Sequence, residues 1–560
     1  MSKPNIVYLD VSTGEASRAR DLVAKQYQGF QLVELSHRQL RDSGWKGQIK
    51  TFFSLKGQAL IFYFDSFTDS KQAEIMPWLG LVHGCRETAI VDRVGDWRVY
   101  RRRDWIWMLP RTVFGLLSDA AVFLFCLFYL KLWRMRPPRL NGQQASPNVA
   151  YLFPFPLTAV AAGGAVSHIR GFLGGLASNH TPCRIFSGTP LPTDSYPVEL
   201  IPARGKLSVF WESKMLSYNF LFATQVQKEL REQPPPSLLY QRHGRFSIAG
   251  AILSRRMRVP LVLEYNGSEV WMSEYWDPAR FRKWLQLCEE AALKSASLIV
   301  VVSEPLKDEL QARGIPAERV LVNPNAVDPE YFHPQCGGDK VRKVLGLPSN
   351  EIVVEFVGTF SQWHGLTVLQ ESIARLLQPG GPSNFTFLLI GHGPLHGEMR
   401  EFLKAQEASG KVIFTGLISH EKVREYLDAA AILVSPHIPM PDGSPFFGSP
   451  TKLFEYMAMG KGIVASNLDQ LAKVLEHNVT AWMIAPGSVD QLVDAIQRLA
   501  SQPDLRARLG AAARAAAIER HSWRNNSEMV LKHAGLCGAP GVSDVAVPKV
   551  QSGHPQGSTA

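Results

Sequence analysis

The stretch SPTKLFEYMAMGKGIVASN, Ser449 to Asn467, holds the residues best suited to gripping a charged small molecule. Pro450 fits the start of a helix and Gly460 its end, so Glu455 stands about one and a half turns in, ahead of an apolar run that reads as a strand. In a doubly wound sheet this places Glu455 near the carboxyl edge, where such folds bind ligands. A carboxylate there can accept two hydrogen bonds from a ribose diol, and the backbone N–H groups at Gly448 and Ser449 can meet a diphosphate at the helix start. A single Glu on a helix is more often a solvated carboxylate, so the reading depends on its neighbours.

The first half of the chain offers a second set. Gly163 and Gly164 lie between a strand and a helix, where a phosphate or an acceptor could approach backbone that carries no Cβ, although an ordinary turn also explains them. His168, early in that helix, faces either a cleft or the surface. Arg242 and His243 close the strand SLLYQR: Arg can clamp phosphate bidentately and His can bond a sugar hydroxyl near neutral pH, or the two simply end a strand. Glu264, Asn266 and Glu269 cluster in LEYNGSE, where a carboxylate could orient a hydroxyl or assist its deprotonation; a turn former and a helix cap are the alternative. His243, Asn266 and Glu269 are the catalytic candidates of this set.

These residues need a frame. From residue 148, strand patterns alternate with helical stretches of about ten to fifteen residues, twice over, which predicts two tandem parallel sheets covered by helices on both faces. The expected domains are 148–345 and 346–533, joined by a Pro- and Gly-containing hinge over roughly 332–350. NIVYLDV, ALIFYFD and TAIVDRV predict a small α/β unit over 1–104. Residues 134–147 read as a linker, and 534–560 carry too few bulky apolar residues for a core, so a disordered tail is expected.

FVGTFSQWHG, LLIGHGP, VIFTGLISHEKVREYLDAAAILVSPH and SPTKLFEYMAMGKGIVAS stand in the order and spacing of the nucleotide-binding half of retaining glycosyltransferases. With GGAVSHIRGFLGGLASN, YQRHGRFSIAGAIL, LVLEYNGSEVW and VLVNPNAVDPEYF upstream, the chain resembles the group-one family of that class over about 148–533. The resemblance implies a GT-B fold of two Rossmann-like domains, an acceptor domain followed by a donor domain. It also implies transfer of a sugar, with retention, from a nucleotide-diphosphate co-substrate, with no cofactor or metal; the basic-flanked apolar segment at 105–133 beside such a module points to a lipid-linked or surface-polysaccharide acceptor. Glu455 would be the ribose-binding second acid of the family's Glu-x7-Glu pair. The first acid's place holds Phe447, which leaves the sugar to Asp442 or to backbone near Gly448. Thr359 after Gly358, and His364 before Gly365, stand where the family commonly has Arg and Lys. Lys452 is then the candidate for the missing positive charge, with a surface lysine as the alternative, and Gly391 of LLIGHGP completes the donor set. A GT-B nucleotide-sugar epimerase and a non-catalytic glycosyltransferase-like scaffold are the competing readings.

Thr112 to Leu130 is a run of nineteen residues with one charge, Asp119, between basic flanks that include Arg101, Arg102, Arg103, Arg111 and Lys131. It predicts a membrane-associated segment over 105–133, formed as a helix pair broken near Pro110 or Asp119 and lying in or dipping into the cytoplasmic leaflet, with Trp105, Trp107 and Trp133 at the interface. A true span and a buried soluble helix are the alternatives. The net charge of +10 is then directed at an anionic membrane surface and makes nucleic acid an unnecessary partner. Six cysteines without a C-x-x-C pair, and a beginning without a signal-peptide pattern, predict the cytoplasmic face of the inner membrane. The overall balance, 46% apolar and 20% charged, excludes a polytopic transporter.

Overall fold

The computed structural model describes residues 147–536 except 157–162, 204–207, 232–233, 379–383 and 441. Ahead of these it describes 95–132, 137–138 and the segments 5–10, 21, 23–27, 30–36, 57–64, 76–83 and 85–92. Trp133, most of the 134–147 linker and the tail beyond 536 fall outside the described residues.

Strands β1 (Asn5–Asp10), β2 (Gln31–Ser36), β3 (Ala59–Phe64), β4 (Glu87–Asp92) and β5 (Trp97–Arg101) form a sheet ordered β2-β1-β3-β4-β5, parallel but for β5. β2 and β5 lie outside the three strands expected in this unit.

The second sheet contains β6 (Val149–Phe153), β7 (Cys183–Ser187), β8 (Val198–Leu200), β9 (Leu238–Arg242), β10 (Leu261–Tyr265), β11 (Leu298–Val301) and β12 (Val320–Val322), ordered β12-β11-β10-β9-β6-β7-β8 and parallel throughout. The third contains β13 (Ile352–Val357), β14 (Phe385–Ile390), β15 (Val412–Gly416), β16 (Ile432–Ser435), β17 (Gly462–Ser466) and β18 (Trp482–Ile484), ordered β15-β14-β13-β16-β17-β18 and also parallel. Their near-continuous buried runs, such as VAYLF and FTFLLI, are what a sheet covered on both faces requires. These are the two Rossmann-like domains expected.

Strand order reverses between β6 and β9 in the second sheet and between β13 and β16 in the third. In doubly wound sheets a ligand crevice opens beyond the strand ends at such a point. The β6 and β9 ends lead into Gly163–Gly164 and Arg242–His243, and the β13 and β16 ends lead into Gly358–Thr359 and His437.

Three expectations need correction. First, Trp105–Leu132 is one continuous helix that accommodates Pro110 and Asp119 rather than a broken pair. Asp119 is buried, its carboxylate accepting from Ser208 Oγ at 2.6 Å and from the backbone N–H groups of Val209 and Phe210 at 2.9 Å each. Bonded in this way, it costs the helix no break. Second, the 332–350 link is packed on the β13–β18 domain: Phe332 is in its core, and Asp428 accepts from Gly337 and Gly338 N–H. The chain passes between domains at Val327 and returns at Ser522, and the two passages bond to each other, Val327 N to His521 O at 2.9 Å and Trp523 N to Val327 O at 3.1 Å. Third, the last helix, Trp523–His533, leaves the domain expected to hold it and packs on the Gly164–Ser178 helix, with Trp523, Val530 and Leu531 in the β6–β12 core. Ala534 and Leu536 join that core, so the start of the expected disordered tail is packed structure.

Candidate functional site

Helix Thr451–Ala458 begins after Pro450 and presents Lys452 and Glu455, one turn apart, into the gap between the domains. Both side chains are buried. Burial pushes the Glu455 carboxyl up to about 7 against the opposing pull of Ser167 and Lys452, and burial brings the Lys452 amine down to about 7 against the pull of Glu455. Ser167 Oγ, from the other domain, donates to Glu455 Oε1 at 3.4 Å. The Lys452 ammonium lies 4.2 Å from the centre of the Phe356 ring and has no hydrogen-bond partner. A Cβ on Gly358 would stand 3.0 Å from Lys452 Nζ, so the glycine leaves space at the amine.

His364 shares this corner. Its Nδ1 donates to the Thr359 carbonyl, and burial, with Lys452 close by, drops its value to about 3, so the ring is neutral at physiological pH. The ring expected to stand in for a fixed cation supplies no charge, and Lys452 is the basic group present. His437, absent from the expected donor set, stands 5.0 Å from His364 between ring centres, is buried, and is likewise held well below its ordinary value by burial and by Lys452. Gly391 has a packing reason: its φ is +128°, and a Cβ would stand 1.9 Å from the Gly358 carbonyl oxygen.

The helix starts of the two domains meet here. A Cβ on Gly164 would lie 3.3 Å from Thr451 Oγ1, so the N-termini of Gly164–Ser178 and Thr451–Ala458 face each other across the gap. Gly163 (φ +97°) has open space where a Cβ would sit. Asn325 ties the two domains together: its N–H donates to Ser449 Oγ at 3.1 Å, its side-chain amide donates to the Ser449 carbonyl, and its Oδ1 accepts from His168 Nδ1 at 2.6 Å. Ser449 thus serves domain contact as well as the helix start, and Gly448 is pressed against the Phe446 ring.

On the far side of His168, its Nε2 lies 3.0 Å from Glu264 Oε1. Glu264 also receives Arg242, Asn266 Nδ2 at 2.5 Å and the Tyr240 hydroxyl at 3.1 Å. Burial alone would raise this carboxyl, but Arg242, His168 and Asn266 together hold it at about 2. A carboxylate this fully engaged anchors its neighbours and does not take up a proton. The His243 side chain is buried, with Nε2 3.5 Å from Glu289 Oε2, and Glu289 is in turn held at about 2, burial being outweighed by His243 and Arg313. Glu269 pairs with Arg245 at 3.1 Å and is raised by burial, which makes it the most basic carboxylate of this set. The expected catalytic trio is thus split: Asn266 is bonded to Glu264, while His243 and Glu269 share a corner around Glu289, whose Oε2 accepts from Glu269 N–H at 2.7 Å.

Phe447 is half-buried, its ring 5.2 Å from that of Trp271, and its carbonyl accepts from Ser303 Oγ at 2.7 Å. Asp442, expected as the substitute acid, is occupied by Ser444 and by the Trp271 indole N–H at 2.8 Å. Among the described residues no group of three or more His, Cys, Asp or Glu side chains is placed to hold a metal ion.

Residues 162–331 match the family described as Glycosyltransferase Family 4, and residues 351–502 match the one described as Glycosyl transferases group 1; together they take in more than half of the chain. The chain carries a glycosyltransferase family 4 region followed by a group 1 glycosyltransferase region. Among curated relatives, the amylovoran biosynthesis glycosyltransferase AmsK of Erwinia amylovora is 29% identical over 202 residues, 36% of this chain and 47% of that one. The putative teichuronic acid biosynthesis glycosyltransferase TuaC of Bacillus subtilis is 25% identical over 261 residues, 46% of this chain and 60% of that one. The matches thus span about half to three fifths of those two relatives. Anabaena Alr3699/HepE, solved with UDP, superposes with a TM-score of 0.53 at 19% identity, covering 69% of this chain and 98% of that one. The chain therefore has the GT-B fold.

Proposed function

We propose that this protein transfers a sugar, with retention, from a nucleotide-diphosphate sugar to a lipid-linked or surface-polysaccharide acceptor. The observation that carries the reading is the buried Lys452 ammonium, which has no hydrogen-bond partner, beside two converging helix N-termini, with Glu455 one turn away. Unsatisfied N–H groups and a cation in a water-poor gap form a receptor for a diphosphate, and they stabilise the charge that grows on it as the glycosidic bond breaks. Glu455, once ionised, accepts from two ribose hydroxyls. The anchored Glu264–His168–Asn325 chain holds the Ser449 loop in place on the acceptor side, and Glu269 lies on the same side to receive or orient the incoming hydroxyl.

The relatives named for amylovoran and teichuronic acid biosynthesis, and the HepE structures with UDP and UDP-glucose, support the acceptor and donor classes. Calorimetric titration with UDP-, GDP- and ADP-sugars, followed by a transfer assay with wild type and Glu455→Ala, tests the reading. Binding of one donor that Glu455→Ala weakens, together with turnover, supports it; tight binding unaffected by that change refutes it. Phe447 in the place of a sugar-binding acid favours a second reading, a non-catalytic scaffold, which predicts no turnover of any donor by the wild type.

A further inference from the structure

We propose that the Trp105–Leu132 helix is an in-plane membrane anchor, committed on one side to the acceptor domain and on the other to the headgroup and upper acyl region of an anionic bilayer. Its buried positions are Gly115, Asp119, Phe123, Cys126 and Leu130, which recur every three or four residues and form a single stripe. Phe123 packs on Phe281 and Trp284, with ring centres 4.5 and 5.2 Å apart, and Asp119 caps the start of the Trp211–Arg231 helix through the bonds to 208–210.

Elsewhere the helix is apolar and open: Trp107 is 79% exposed, Phe114 65%, Leu117 62%, Leu124 66% and Phe128 67%. A continuous apolar face of this kind on a water-soluble surface marks a docking surface.

The helix is long and apolar enough to cross a membrane, but its contacts oppose a crossing. A span would draw Asp119 and its bonded 208–210 backbone, and with them the acceptor domain, into hydrocarbon. Charge identifies the occupant. Arg101, Arg103 and Arg111 are exposed near one end and Lys131 at the other, so a helix lying flat sets every cation at the same headgroup layer. A second copy would instead bring cations against cations when the apolar faces met. This inference concerns placement and stands independently of the sugar-transfer reading.

The test is flotation of the full-length protein with vesicles of phosphatidylcholine alone and of phosphatidylcholine mixed with phosphatidylglycerol. The wild type should float with the mixed vesicles, about ten-fold more than with the neutral ones. Phe114→Glu with Leu117→Glu should abolish flotation while leaving the melting temperature unchanged, since both side chains touch solvent. Arg101→Gln with Arg103→Gln should erode only the preference for anionic vesicles. Trypsin added outside inner-membrane vesicles that display the protein should cut at both Arg111 and Lys131. Flotation that survives the Glu pair, no flotation with either vesicle, protection of one of the two cut sites, or a stable dimer that the Glu pair dissolves would each overturn the proposal.

Discussion

Replacing Lys452 by Met separates the two roles of this amine. Met keeps the unbranched stem packed over Phe356 and removes the titrating group. Lysine ordinarily titrates at 10.5, and burial holds Lys452 at about 7. Each pH unit of such a depression corresponds to about 1.4 kcal/mol, so protonating the buried amine costs the folded state as much as about 5 kcal/mol. Because the folded value lies below the unfolded one, the cost is absent above about 10.5, grows as pH falls, and is complete below about 7. At pH 7.5 most of it is present, and local relaxation reduces it to about 2–4 kcal/mol. Without ligand, Lys452→Met should therefore be more stable than wild type, melting roughly 5–10 °C higher by scanning calorimetry. In titration calorimetry with the preferred nucleotide sugar, the same variant should lose about two orders of magnitude in affinity, the value of a charge-assisted contact to phosphate. A less stable variant, or donor affinity within about three-fold of wild type, would refute the assignment of this amine to an anion.

Other expectations follow from the same geometry. In Glu455→Gln the lysine titrates without its carboxylate partner, which had been raising its value; donor affinity should fall about ten-fold per pH unit above a midpoint at or below about 7, and the fall should vanish in the double variant with Lys452→Met. Glu264→Leu leaves Arg242 beside a buried apolar side chain and should cost about 3–5 kcal/mol in chemical denaturation, more than Glu264→Gln, which keeps an acceptor. Gly391→Ala forces a Cβ against the Gly358 carbonyl and should destabilise the β13–β18 domain by more than about 3 kcal/mol, measured the same way. Asn325→Ala should raise KM for the donor and leave the melting temperature within a few degrees, because it cuts the tie to Ser449 at a domain boundary.

The parts legible in the sequence were those written in local punctuation. Pro450 and Gly460 bracket the Glu455 helix within eleven residues, and most of the apolar runs that form the two large sheets are bounded by turn residues, whereas β7, β8, β12 and β18 are too short or too mixed in polarity to stand out. What stayed hidden depends on distant partners. Asp119 looks like a break in an apolar segment because its three hydrogen-bond partners lie about ninety residues downstream. His364 reads as titratable, yet enclosure around Phe356, His437 and Lys452 makes it neutral, and composition does not encode enclosure. Glu264 reads as a possible base because its neighbours in sequence do not reveal that Arg242 and His168 converge on it. Asn325 sat inside a motif of the resemblance, VLVNPNAVDPEYF, but its task became visible only when Ser449 was placed opposite it.

The paired passages at Val327 and Ser522 have a mechanical consequence. Two chain segments bonded at one point act as a pin rather than two tethers: they permit the domains to rock and oppose their drawing apart. Since Trp523 sits against Gly171 and Gly175 of the helix that carries Ser167 and His168, a rocking motion about the pin carries that helix start toward or away from Thr451 without stretching covalent chain. Cleavage within 502–520 should therefore leave the two fragments associated, while removal of residues after 521 should expose the β6–β12 core and free the pin.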